Sequence, residues 1–239
     1  MAYSEQAAPP VALVIPALNE APVIAAMLDA IPPGLFRQVI VADNGSSDGT
    51  GPIAAAHGAE VVREPERGYG AACLRAIEQI DAECSIVMFM QADLSEDPAE
   101  AVSLVAPILD GRADFVLGSR ALGGAEPGAL LAHQAMGNAL ATGLIAAIWG
   151  HRYTDLGPFR AIRVDRLRGL GMSERNYGWT IEMQIRAIEE GLRVMEIPVR
   201  YRVRAAGENK VSGQLGASFR AGVKILEVIW RLWRRRRRR

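Results

Sequence analysis

The sequence predicts an α/β fold, a mostly parallel sheet flanked by helices, on three observations. Short apolar runs alternate with helical patterns through the first half of the chain. Polar clusters rich in Asp, Asn, Ser and Gly fall directly after those runs. The chain closes on an amphipathic pattern that leads into a run of arginines.

The runs at 11–15, 38–42, 60–62, 86–90 and 115–117 are short and mainly apolar, with Gln38 and Glu60 opening the second and third, and read as buried strands. Helical patterns occupy 21–30, 51–57, 70–80 and 98–109. This alternation argues for right-handed crossovers and parallel strands. Ligands on such sheets bind beyond the carboxyl ends of the strands, where the polar clusters lie. The second half is less regular. Residues 129–149 are apolar enough to raise the question of a membrane span, but Gln134, Asn138 and Thr142 recur every four residues and make an amphipathic helix the better reading. A polar turn (151–158), a short strand (159–163), a helix (179–190) and two β-like segments (193–197 and 199–203) follow. A loop at 204–216 then leads to the final helix.

With 239 residues, half of them apolar and 23% charged, the chain fits one large soluble domain. Lys plus Arg equal Asp plus Glu, yet Arg234 to Arg239 hold six of the basic residues, so the body is acidic and the tail strongly basic. Cys73 and Cys84 are too few for a disulfide framework and sit in apolar surroundings, which argues for buried free thiols and a reducing compartment. The first ten residues lack a signal-peptide pattern and are expected to be disordered.

Four clusters carry chemistry. Pro16 and Asn19-Glu20 follow the first strand, where Asn19 can cap a helix whose N-terminus attracts anions. Asp43 to Thr50 follow the second, a carboxylate before a small-residue turn that suits recognition of a base or ribose and equally suits a plain capped turn. After the third strand, Gly68 and Gly70 permit close backbone approach and Arg67 can meet phosphate. After the fourth, Gln91, Asp93 and Ser95 put oxygen donors at the mouth of the sheet, the chemistry of a Mg²⁺ or Mn²⁺ site on a diphosphate.

In this order, Val14-Ile-Pro-Ala-Leu-Asn-Glu20, Val41-Ala-Asp-Asn-Gly-Ser-Ser-Asp-Gly-Thr50, Arg67-Gly-Tyr-Gly70 and Gln91-Ala-Asp-Leu-Ser95 resemble the family 2 glycosyltransferases with a GT-A fold. Gly118-Ser-Arg120, Thr154-Asp-Leu-Gly-Pro-Phe-Arg160 and Gly207-Glu-Asn-Lys-Val-Ser212 are similar to the branch acting on dolichyl or polyprenyl phosphate. The resemblance implies an inverting hexosyltransferase domain at 11–216, followed by an amphipathic helix and polyarginine tail at 217–239. The donor would be a nucleotide-diphosphate sugar held by Pro16, Asn19, Glu20, Asp43, Ser46, Arg67, Gly70, Gln91, Ala92 and Lys210. Asp93 and Gln91 would hold Mg²⁺ or Mn²⁺, and Lys210 with the arginines before it would belong to a loop that closes on the donor phosphates. Arg120, His133 and Gln134 would face an acceptor, a polyprenyl phosphate or another lipid, with Asp155 the first candidate for a general base and Glu182 the second.

The chain departs from the pattern twice. Gln91 stands where the family carries an acidic residue, and Gln134, beside His133, where the branch carries a second basic one. The competing readings are a non-catalytic nucleotide-sugar-binding module, a transferase acting on a soluble hydroxyl, and a nucleotidyltransferase of related fold.

On a helical wheel Arg220, Lys224, Glu227, Arg231 and Arg234 share one sector of the last helix, and apolar residues with Trp230 and Trp233 cover the rest. This pattern predicts docking on an anionic membrane surface, with the protein cytoplasmic and peripheral. No nucleic-acid partner is expected, and a homo-oligomer is left open.

Overall fold

The computed structural model describes residues 9–205 and 215–237, and the side chains of 215–221 lie outside that description. Among the described residues seven strands form one sheet: β1 (Val11–Ala17), β2 (Gln38–Asp43), β3 (Glu60–Arg63), β4 (Ile86–Phe89), β5 (Phe115–Ser119), β6 (Arg160–Arg163) and β7 (Val194–Pro198). Their order is β3-β2-β1-β4-β6-β5-β7. Only β6 runs against its neighbours. The helices are α1 (Ile24–Asp29), α2 (Thr50–Ala56), α3 (Tyr69–Ile77), α4 (Ala101–Leu109), α5 (Arg120–Gly123), α6 (Ala132–Trp149), α7 (Val164–Leu170), α8 (Trp179–Glu189) and α9 (Leu215–Arg236).

The continuous apolar runs are explained by burial on both faces of the sheet. Val11, Leu13 and Ile15 join the core beneath α1 and α4, with Met27 and Leu104. Ala12 and Val14, pointing the other way, join the core beneath α3, α8 and α9, with Ala76, Trp179 and Leu232. Cys73 and Cys84 are buried free thiols.

Pro16 shows how the strand chemistry opens a site. The Val14 carbonyl accepts the Met90 N–H at 3.1 Å, so alternate residues of β1 face β4 and residue 16 does too. The β1–β4 ladder ends at the pair Val14 and Phe89, whereas β1 stays paired to β2 as far as Ala17 and Asp43. The missing proline N–H therefore falls where the two strands have already parted. A crevice begins at that parting.

Several expectations need correction. The segment 199–203 is no strand: Tyr201 makes only isolated bridges, to Glu96 and Ala125. The helix expected over 98–109 is a 3-10 turn, Pro98–Glu100, followed by α4. The short helices α5 and α7 were not anticipated. The last helix begins at Leu215, inside the expected loop, while 206–214, with Lys210, lie outside the described residues. Of the N-terminal stretch expected to be disordered, Pro9 and Pro10 accept backbone hydrogen bonds from Val11 and Ser85.

The docking face of α9 also differs. Val228, Ile229 and Leu232 are buried against the body. Lys224 and Arg231, from the expected basic sector, pair with buried Glu174 at 3.6 and 3.2 Å. Only Val223, Leu226 and Trp230 remain as large exposed apolar side chains on the described part of α9. Among the described residues no helix is long and apolar enough to cross a membrane.

Candidate functional site

A cavity of about 360 Å³ lies in the crevice beyond the carboxyl ends of β1 and β4. Its wall includes Pro16, Glu20, Arg67, Gln91, Ala92, Asp93, Arg120 and Gln134 from the expected site, and Lys210 lies outside the described residues. Asn19, Asp43 and Ser46 are not part of the wall. The Asp43 Oδ1 accepts the Ser46 N–H at 2.8 Å, the Ser46 hydroxyl accepts the Asn19 N–H at 2.9 Å, and Asn19 Oδ1 accepts the Ser47 N–H at 2.9 Å. The first two clusters are thus one interlocked unit.

Gly70 is not on the cavity wall. A Cβ at Gly70 or Gly68 would collide with the backbone carbonyls of Glu174 and Arg175, which lie against this turn. The glycines admit residues 174–177, and that segment brings Asn176 and Tyr177 to the cavity wall. Nothing in the local sequence announces these two residues. Asn44 is another wall residue the sequence reading passed over: its Oδ1 accepts the Gly68 N–H at 2.8 Å, and its amide donates to the Glu66 carbonyl at 2.6 Å.

At the β4 end, Asp93 Oδ1 accepts the Ser95 hydroxyl at 2.5 Å and its N–H at 3.0 Å. Asp93 Oδ2 faces Arg204 at 3.4 Å, and the same guanidinium donates to Glu20 Oε1 at 2.7 Å. Gln91 Oε1 accepts from the Ser95 hydroxyl at 3.2 Å. Behind it, Glu96 is buried and accepts the Gln91 N–H at 2.9 Å. Burial pushes the Glu96 carboxyl up to about 8.

Across the cavity, Arg120 is fixed by Asp155 through three hydrogen bonds of 2.7 to 2.9 Å, from its N–H, Nε and Nη2. Its guanidinium lies over the Tyr201 ring at 5.0 Å. The Asp155 turn is itself held, by Asn138 Oδ1 on the Leu156 N–H at 2.9 Å and by Gln184 on the Asp155 carbonyl at 3.0 Å. Gln134 uses its carbonyl oxygen to cap α6 at the Leu131 N–H. His133, beside it in the first helical turn, is not part of the wall.

The two expected bases are both committed elsewhere. Asp155 is 3% exposed, off the cavity wall, with both carboxylate oxygens engaged by Arg120. Glu182 is 0% exposed and accepts from Ser173, Glu174 and Arg186. Burial pushes its carboxyl up, but the Ser173 and Glu174 N–H donors and the Arg186 guanidinium outweigh this and hold it below the ordinary glutamate value. Neither carboxylate lies on the cavity wall.

Over residues 12–169 the chain matches the profile of glycosyl transferase family 2. An uncharacterized glycosyltransferase of Mycobacterium tuberculosis is 38% identical over 225 residues, covering 92% of this chain and 97% of that one. The undecaprenyl-phosphate mannosyltransferase of Micrococcus luteus is 28% identical over 215 residues, covering 84% and 86%. Among solved structures, glucosyl-3-phosphoglycerate synthase from Mycobacterium tuberculosis, in complex with Mn²⁺, UDP and glucosyl-3-phosphoglycerate, matches with a TM-score of 0.72. The match covers 92% of this chain and 78% of that one at 24% identity, a likeness of fold. The parted β1–β4 crevice, the ordered motifs around it and these matches lead to one assignment: the chain belongs to glycosyl transferase family 2 and has its GT-A fold.

Proposed function

We propose that this glycosyltransferase moves a hexose, with inversion, from a metal-bound nucleoside-diphosphate sugar to a polyprenyl phosphate. The carrying observation is the pairing of Arg120, on the cavity wall, with an Asp155 whose oxygens are both spent on it. A hydroxyl acceptor needs a base to remove its proton, whereas a phosphate is already anionic and needs a cation to place it. Arg120 is that cation, and Asp155 is its positioning residue. The undecaprenyl-phosphate acceptor named for the Micrococcus relative has the same chemistry.

On the donor side, Asp93 and the Gln91 carbonyl are the proposed holders of Mg²⁺ or Mn²⁺. The donor set fits, because these ions take one or two carboxylates and complete their shell with substrate phosphates. The guanidinium lying between Asp93 and Glu20 marks the same spot as one where positive charge is stabilised. When bound, the ion would neutralise charge on the leaving diphosphate. Arg67 and Arg204 would bind the phosphates as the bond from sugar C1 to the diphosphate oxygen breaks and an acceptor phosphate oxygen takes its place. Asn19, Asp43 and Ser46 would shape the nucleoside end.

The exposed Val223, Leu226 and Trp230 next to the arginines of α9 support a further proposal, that the enzyme works peripherally on an anionic bilayer. Flotation with anionic but not neutral vesicles is the expected result. The function itself is tested by offering UDP- and GDP-sugars, with Mn²⁺, to a polyprenyl phosphate and to the matching free polyprenol. Transfer to the phosphate alone is expected, and faster transfer to the alcohol would overturn the assignment.

A further inference from the structure

The metal seat proposed above already contains a cation belonging to the chain. Arg204 reaches the seat from a strap, residues 199–205, that crosses the mouth of the sheet between β7 and α9. The strap is held along its length by the segment it covers. The Arg202 N–H donates to the Ser95 carbonyl at 2.8 Å and the Ala205 N–H to the Asp93 carbonyl at 3.2 Å. The Arg202 guanidinium pairs with Asp97 at 2.5 Å, and the Arg200 N–H donates to Glu100 at 3.1 Å. These anchors leave the Arg204 side chain directed between Glu20 and Asp93, at 2.7 and 3.4 Å, on the cavity wall.

Asp93 divides its two oxygens between different tasks. Ser95 takes Oδ1 with two hydrogen bonds, and only Oδ2 is turned to Arg204. A divalent ion that binds Asp93 through Oδ2 therefore meets a guanidinium at the same oxygen. Two cations cannot share it at that range without strong mutual repulsion.

Resting on the metal-dependent donor reading, we propose that Arg204 is the resident counter-cation of the metal seat in the donor-free enzyme and is exchanged for the divalent ion when the nucleoside diphosphate arrives. The phosphates make the exchange favourable, since a guanidinium fork pairs with phosphate oxygens at least as well as with carboxylate. Metal and nucleotide then enter together. The ion alone has to take Asp93 Oδ2 from a partly buried ion pair with no phosphate to draw the guanidinium away.

The test is Mn²⁺ binding to the full-length protein without nucleotide, read from the electron paramagnetic resonance signal of the free ion. Wild type should bind Mn²⁺ weakly, and Arg204→Gln about tenfold or more tightly, because the competing charge is gone. Arg204→Lys, which keeps the charge, should stay near wild type. With UDP or GDP present the order should reverse, Arg204→Gln holding the Mn²⁺–nucleotide pair more weakly than wild type. Unchanged or weaker Mn²⁺ binding by Arg204→Gln overturns the proposal. Equal tightening by Arg204→Lys overturns it too, by showing that a loosened strap and not a removed charge is responsible. Asp93→Asn separates this from the donor reading. If wild type and Asp93→Asn bind Mn²⁺ alike even with nucleotide, the metal seat itself is wrong and the exchange falls with it. If only wild type binds the pair and Arg204→Gln fails to tighten the ion, the seat stands and the exchange alone is refuted.

Discussion

Asp93 and Asp155 are almost equally buried, at 6% and 3% exposure, and each meets an arginine, yet they are built for opposite purposes. Asp93 gives one oxygen to Ser95 and keeps the other opposite a side chain on a strap. Asp155 gives both oxygens to Arg120, and its backbone is locked from α6 and α8. On the proposed reading the donor side would retain an exchangeable ligand oxygen, whereas the acceptor side has spent its carboxylate on a fixed cation. A buried carboxylate in a family motif is accordingly a poor guide to catalysis until the count of its committed lone pairs is known.

The largest expected effect lies on the exchangeable side. Asp93→Asn should lower transfer by about a thousandfold, roughly 4 kcal/mol, by removing charge stabilisation from the leaving diphosphate. Steady-state rates over a range of Mn²⁺ concentrations check this, and rescue by excess metal would place the ligand elsewhere. Glu182→Gln should act on folding instead. Breaking its buried pair with Arg186 is expected to cost about 3 kcal/mol of stability, seen in urea unfolding, with little change in donor or acceptor KM.

Asp155→Asn sharpens the contrast between a positioning carboxylate and a base. Asparagine keeps one acceptor oxygen for Arg120, so a loss of about tenfold in kcat/KM, mainly through acceptor KM, is expected. The pH profile should keep its shape. Disappearance of an acidic limb would restore Asp155 as the base.

The smallest effect concerns Glu96. Its folded-state carboxyl sits near 8, against 4.5 for an ordinary glutamate, so between those values the folded chain holds a proton that the unfolded chain releases. Stability is then fully present below pH 4.5 and falls as pH rises toward 8. Glu96→Gln should flatten that decline in thermal melts of the nucleotide-free protein.

How much of this was legible depends on the range of the forces involved. Strands β1, β2, β4 and β5 were readable because both their faces are largely buried, which writes a nearly unbroken apolar run into the sequence, whereas β3 at the sheet edge is mostly exposed. The four clusters were readable because strand ends carry the polar residues of an open crevice. Asn176 and Tyr177 were not, since their place depends on a backbone contact between Gly70 and Glu174, far apart in the chain. The engagement of Asp155 was hidden for the same reason: its partner is 35 positions away. Tyr201 sat in a segment whose alternation suggests a strand. Its backbone instead bridges Glu96 and Ala125, outside the sheet.

The ion pairs of α9 with Glu174 make the C-terminal helix a keystone of the fold. Glu174 and Glu182 lie side by side under this helix, and Arg231 reaches both, at 3.2 and 3.8 Å. Cutting the chain before Leu215 would strip two cations from a buried acidic pair and expose the floor on which Val228 and Leu232 rest. The disturbance would pass through residues 174–177 to the wall of the cavity. Deletion is therefore an unsafe way to ask what the arginine-rich end does. Substituting Val223, Leu226 and Trp230 by serine removes the outward apolar stripe and leaves the keystone in place. If that triple variant still binds nucleotide but no longer floats with anionic vesicles, surface adhesion and architectural support are separable properties of one helix.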